Sequence, residues 1–161
     1  MTTQHIPDSP DCAGIYRVTP EGDHVAAVTT SSFISVPEVR ARLSALLATD
    51  ARRLVFTVLH TGKATNAEAI SDDAVAAGAF HRTRAPEGTV ESGLLERIAL
   101  TLPEDVVLST TDSIWDLGGD SLLCLELSEA IADMWGVEID PVDIFRAKSM
   151  AQLADDIEAE R

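Results

Sequence analysis

Asp116-Leu117-Gly118-Gly119-Asp120-Ser121-Leu122 is the stretch on which the reading of this chain turns. Paired glycines make a tight turn, open to backbone conformations that a Cβ resists. Asp120 then stands at a helix N-cap position, where its carboxylate accepts N–H groups that the first turn leaves without partners. A helix starting at about Ser121 presents that hydroxyl on its first turn, with little side-chain bulk before it. Free donors and the positive end of the helix dipole suit attachment of an anionic group there. An N-capped helix behind a Gly-Gly loop, with nothing attached, fits the same residues, and short motifs match often by chance.

The flanks weigh on that choice. Leu123, Leu127, Ile131 and Trp135 recur every fourth residue, an apolar stripe over four turns. Gly136 suits the C-terminal stop of that helix. Pro141 opens a short segment ending in Ile144-Phe145, and Ser149-Met150-Ala151-Gln152 has the Ser-x-x-Gln form of a capping box. The box starts a last helix whose apolar side is Met150, Leu153, Ala154 and Ile157. Upstream, Leu94, Leu95, Ile98 and Leu102 mark a further helix. Helix, long loop, long helix, short helix and helix together predict a four-helix bundle.

Residues from about Pro86 to Arg161 resemble a peptidyl carrier protein (thiolation) domain of nonribosomal peptide synthetases. The resemblance rests on Leu117-Gly118-Gly119-Asp120-Ser121-Leu122, Trp135-Gly136-Val137-Glu138-Ile139, Ile144-Phe145 and Lys148-Ser149-Met150-Ala151-Gln152-Leu153-Ala154, in that order. It implies that Ser121 receives a covalent 4′-phosphopantetheine arm from a phosphopantetheinyl transferase, with Asp120 helping the transferase read the site. The arm's thiol would hold an aminoacyl or other acyl group as a thioester, during nonribosomal peptide or related natural-product (antibiotic) biosynthesis. It further implies partners: an adenylation enzyme acting in trans, then condensation, tailoring or thioesterase enzymes. Carrier domains present this helix to partners. Leu122, Leu125, Glu126 and Glu129 lie off the apolar stripe and are the expected partner interface, an apolar patch beside acidic residues. A wide core face would claim the two leucines instead.

Composition agrees with a division in two. The chain has 161 residues and a net charge of −15. Residues 86–161 hold 18 acidic and 4 basic side chains, against 9 and 8 in residues 1–85. Such asymmetry points to two domains with different partners. Most of the carboxylates read as a solvated surface, some as steering toward basic partners. The acidic balance excludes the basic footprint that nucleic acid requires. Cys12 and Cys124 form neither a disulfide framework nor a zinc pattern, no histidine pair has metal-ligand spacing, and no metal site is expected. Cys124 reads as a small buried hydrophobe, and Trp115 and Trp135 as core or core-edge residues, with Ile114 and Trp115 pinning the long loop. The start of the chain has no signal-peptide pattern and no apolar run reaches membrane-spanning length, so the expected location is cytoplasmic, away from any membrane.

In the N-terminal half, residues 1–13 read as a flexible lead-in. Tyr16-Arg17-Val18 and His24 to Val28 flank Pro20-Glu21-Gly22-Asp23 as a hairpin. Pro37-Glu38 opens a helix that buries Val39, Leu43, Leu46 and Leu47 and ends at Arg52-Arg53. Leu54 to Leu59 is a strand, Thr61-Gly62-Lys63 a turn, and Asn66 to Ile70 the start of a helical piece. Residues 14–80 thus form a small α/β fragment, 81–88 a linker and 89–161 the carrier domain, an α+β chain overall. The fragment resembles a truncated C-terminal subdomain of adenylation domains, through Gly62-Lys63-Ala64-Thr65-Asn66-Ala67-Glu68-Ala69-Ile70. That resemblance places Lys63 on the lysine that contacts the acyl-adenylate, a vestigial role here because the large nucleotide-binding lobe and its Gly-rich phosphate loop are absent from the sequence. Thr61 stands where that family has asparagine.

Gly119-Asp120-Ser121-Leu122 also spells a serine-esterase motif, which needs a histidine base. His5, His24, His60 and His81 all precede Ser121, and no Asp-x-x-His follows it. No catalytic residue is therefore expected, and the chain reads as a carrier without activity of its own. Two alternatives stay open: an unmodified interaction module, and an adenylation-lobe fragment that completes an enzyme in trans.

Overall fold

The computed structural model describes residues 2–6, 12–30, 34–59, 67–77, 80–104 and 106–161. The chain is α+β and divides into two compact units, Met1–Ile34 with Glu38–Thr83, and Ser35–Pro37 with Arg84–Arg161.

The first unit is built on strands β1 (Gln4–His5), β2 (Cys12–Val18), β3 (His24–Thr30), β4 (Leu54–Val58) and β5 (His81–Arg82), adjacent in that order. β2 and β3 form the antiparallel hairpin expected from Pro20 to Asp23. Gly22, at φ 88°, donates its N–H to the Thr19 carbonyl, a geometry that favours glycine. Helix α1 (Val36–Leu46) follows β3, and β4 then pairs parallel to β3. A parallel pair needs such a crossover, because a tight turn cannot join its ends. Val25, Ala26, Ala27 and Val28 are all buried, so both faces of β3 are covered. Ile15, Val25, Ala27, Val55 and Ile70 form one cluster. Buried Arg17 donates from Nε to the Ile70 carbonyl (2.5 Å) and pairs with Asp72, holding the 3-10 turn Ala67–Ile70 and helix α2 (Asp72–Ala77).

Three expectations change here. Helix α1 stops at Leu46, not at Arg52-Arg53. Ala48 adopts a positive φ of 48°, and Asp50 caps a separate 3-10 turn, Ala51–Arg53, by accepting the Arg52 N–H. The same Arg52 guanidinium lowers the Asp50 carboxyl to about 2. Gln4–His5, expected in a loose lead-in, pair with β2, and His81–Arg82, expected in a linker, pair with β4. The turn at Thr61-Gly62-Lys63 lies outside the described residues.

Among its described residues, the second unit has helices α3 (Gly88–Ala99), α4 (Ser121–Trp135), α5 (Pro141–Arg146) and α6 (Met150–Glu160). Its core joins Leu94 and Ile98 of α3, Cys124, Leu127 and Ile131 of α4, Ile144 of α5, and Met150, Leu153, Ala154 and Ile157 of α6. Leu123 and Trp135, the ends of the expected stripe, only edge that core. Leu102 lies beyond the end of α3 and still packs on the core. Pro103 follows it, and the residue before a proline resists helical backbone.

Helix α6 shows complete pairing of its first N–H groups. Met150 donates to the Asp112 carbonyl, Ala151 to the Thr110 carbonyl, and Gln152 to Ser149 Oγ. The Gln152 side chain accepts from the Lys148 N–H, one residue before the position a capping box predicts. The loop after α3 is thereby tied to α6. Its other anchor is Arg84, which donates to Thr110 Oγ1 and pairs with buried Glu91.

Candidate functional site

The loop reaches the site through a helical turn. Ser113 donates its N–H and its hydroxyl to Asp116 Oδ2, both at 2.8 Å, and the Asp116 N–H returns to Ser113 Oγ. This reciprocal cap starts a turn in which Leu117 donates to the Ser113 carbonyl and Gly118 to the Trp115 carbonyl. Ile114 and Leu117, three residues apart, face inward and are buried. Trp115 therefore faces outward and is 62% exposed, further out than the core or core-edge place expected for it. Its ring leans on Phe145 of α5, with 4.3 Å between ring centroids.

The two glycines then do different work. Gly118 takes a φ of 71°, in the left-handed region. Gly119 is needed for closeness: a Cβ there would stand 2.8 Å from both Ile114 Cγ2 and Leu123 Cδ2. Its N–H donates to the Ile114 carbonyl (2.9 Å). Asp120 is the N-cap of α4, and its Oδ1 accepts from Leu122 N (2.9 Å) and Leu123 N (3.1 Å). Ser121 is exposed at the first helical position. Two of the donors expected to be free for an anion are thus held by Asp120. A phosphate on Ser121 would meet a carboxylate as well as the positive helix end.

A cleft of about 410 Å³ opens beside Ser121, lined by Trp115, Pro141, Val142, Phe145 and the buried Cys124, together with Gly119 and Asp120 of the turn. Burial, and then the charge of Asp120, push the Cys124 thiol above its ordinary pKa, so it stays neutral. Leu122 and Leu125 are exposed, at 60% and 49%, and Glu129 is exposed with them while Glu126 is half-buried. By helical spacing these four share an outward side of α4 with Ser121. Lys63 lies outside the described residues, so the structure does not relate it to this site. Sequence reading missed Trp115, Val142 and Phe145. The available signal was Ser113-x-x-Asp116 around Ile114 and Leu117, a cap and an i, i+3 pair that turn residue 115 outward.

Among the described residues, no cluster of three or more histidine, cysteine or acidic side chains is arranged to hold a metal ion, and no helix is long and apolar enough to cross a membrane. Residues 92–157 match the family described as the phosphopantetheine attachment site. The match supports a carrier-protein domain over this segment. Such a domain bears 4′-phosphopantetheine covalently on a serine, and it works with a phosphopantetheinyl transferase and with catalytic partners. An exposed hydroxyl at a helix start, beside an open apolar cleft, fits the group. No curated protein matches the chain.

Proposed function

We propose that Ser121 carries the 4′-phosphopantetheine and that the chain serves as a peptidyl carrier in nonribosomal peptide or related natural-product biosynthesis. The observation that carries the assignment is a comparison of the six serines in residues 92–157. Ser109 and Ser113 are buried. The Ser92 hydroxyl donates to the Gly88 carbonyl, that of Ser128 to the Ile139 carbonyl, and Ser149 Oγ caps α6. Ser121 is the exposed one. Its hydroxyl oxygen bonds to the coenzyme A phosphorus nearest the pantetheine. The pyrophosphate bond breaks, adenosine 3′,5′-bisphosphate leaves, and the serine proton passes to a base of the transferase. Once attached, the group supplies a thiol that holds an acyl chain as a thioester.

Asp120 fixes the start of α4 and so the position of the hydroxyl. Leu122, Leu125, Glu126 and Glu129 form the docking surface for an adenylation enzyme in trans and for later condensation, tailoring or thioesterase enzymes. An apolar patch rimmed by carboxylates suits a partner with a basic rim. The N-terminal unit is a remnant of an adenylation C-terminal subdomain. Its support is the order of hairpin, helix crossover and strand, together with the Gly62-Lys63 run.

Intact mass tests the assignment. Coenzyme A, magnesium and a promiscuous transferase should add one phosphopantetheine to the wild-type chain and none to Ser121→Ala. Equal addition to both chains would move the site to another serine.

A further inference from the structure

Arg84 precedes α3 and lies ahead of residues 92–157, the segment that matches the family. It falls in the expected linker, yet it is bonded throughout to the second unit. Its N–H donates to Ser109 Oγ (2.8 Å), and its carbonyl accepts from the Thr110 N–H (3.2 Å). Its Nε donates to Thr110 Oγ1 (2.7 Å). The end of its guanidinium pairs with Glu91, whose carboxylate also accepts the Glu87 N–H (2.6 Å). The Arg84 side chain is 42% exposed, but Ser109, Thr110 and Glu91 are all buried. Guanidinium donors stand in a rigid fork, so holding Glu91 with one nitrogen sets where the next one points. One side chain thereby ties the start of α3 to the loop that leads to Ser121.

We propose that Arg84 is a positioning residue for the modification of Ser121, acting through Thr110. The inference rests on Ser121 as the attachment residue. Thr110 is held from two sides: Arg84 bonds its hydroxyl, and the Ala151 N–H of α6 donates to its carbonyl (2.8 Å). Two residues on, the Asp112 carbonyl accepts from the Met150 N–H (2.8 Å). Ser113 then opens the capped turn that runs through Gly118 and Gly119 to Ser121. Where that turn begins is set by where residues 109–112 lie, and Arg84 joins them to α3. Charged donors make the shorter and stronger hydrogen bonds, so the Nε bond is a firm one. Without it the loop shifts, and the Ser121 hydroxyl with it. A displaced hydroxyl meets phosphorus in a productive geometry less often, which lowers kcat. The outward side of α4 is unchanged, so KM is not.

Modification kinetics of the full chain test this, followed by intact mass with coenzyme A, magnesium and a promiscuous transferase. Arg84→Lys keeps a charge for Glu91 but has no second nitrogen for Thr110 Oγ1. It should lower kcat about fivefold and leave KM unchanged. Thr110→Val removes the acceptor and should give the same loss, while Thr110→Ser retains the hydroxyl and should keep the wild-type kcat. The double variant Arg84→Lys with Thr110→Val should be no slower than either single one, since both remove the same bond. Ile157→Ala, a core change in α6, should lower the melting temperature and leave kcat alone. Losses of kcat that track melting temperature across all these variants, Ile157→Ala included, overturn the proposal by giving Arg84 a role in stability alone. A wild-type kcat in Arg84→Lys, a loss carried by KM, or additive losses in the double variant overturn it as well. Each of these leaves attachment at Ser121 standing. A wild-type chain that gains no mass on Ser121 overturns both.

Discussion

The two units bury polar groups in different places. In the first, the buried charge is cationic and sits in the sheet unit itself. Arg17 is held by the Ile70 carbonyl and Asp72, and Arg40, fully buried, has its guanidinium 5.9 Å from the Phe56 ring centre. In the second, the helices meet through apolar side chains, and, besides Ser35 and the Glu91 that pairs with Arg84, the buried polar residues gather in one loop: Ser109, Thr110, Asp112 and Ser113. That loop leads straight to the Gly118-Gly119-Asp120-Ser121 turn. Buried polar groups must be paired, so they fix a loop more tightly than apolar contacts alone. The second unit thus adds directional bonding in the loop that precedes Ser121, beside the apolar packing of its helices.

The comparison is open to several tests. The largest effect expected is all-or-none. Residues 84–161 alone should fold by circular dichroism and accept phosphopantetheine, and residues 1–83 alone should accept none. The cut removes Ser35–Pro37 from the second unit, including the bond from the Val36 N–H to the Asp116 carbonyl (2.7 Å), itself worth about 0.5–1.5 kcal/mol, and leaves the unit's apolar core intact. An unfolded C-terminal piece would make the two units one cooperative body. Next in size is Leu127→Ala, at a side chain only 1% exposed. It should lower stability in denaturant unfolding by about 2–5 kcal/mol through the cavity it opens. Asp120→Ala removes the cap of α4 and should cost about 1 kcal/mol, with slower modification because the start of the helix frays. Leu122→Ala should move stability least, within about 0.5 kcal/mol, as a surface change does. It should nevertheless slow loading by a cognate adenylation enzyme. A large loss of stability at Leu122 with unchanged loading per folded molecule would return that residue to the core.

The second unit was the more legible in sequence because helices are written locally. Asp120, Gly136 and Ser149 each act within a turn of their own position, and the apolar side of α6 stands as read. The sheet unit depends on pairings that no local pattern carries. His81–Arg82 have no strand signature beyond two residues, and only the open edge of β4 makes them a strand. Ala48 ended α1 early by taking a positive φ, a conformation that alanine does not advertise. At the candidate site, the Asp120 cap and the place of Ser121 on the first turn of α4 could be read from local pattern, whereas the exposure of Leu122 and Leu125 was open between core and surface until the structure placed them outward. The cleft could not, since it depends on α5 lying beside the 113–118 turn. An aromatic in a loop reads as core until the facing of its neighbours is known.

Gly119 has a kinetic consequence. A Cβ at this position would stand 2.8 Å from both Ile114 Cγ2 and Leu123 Cδ2, so the turn before Ser121 lies close against these side chains. With the arm on Ser121, as proposed, a thioester would swing from this turn. For a docked enzyme, the length of the arm would then set which active sites the thioester can enter. Any enzyme whose active site lies within that radius meets the acyl group as an intramolecular neighbour, and one beyond it does not meet the group at all.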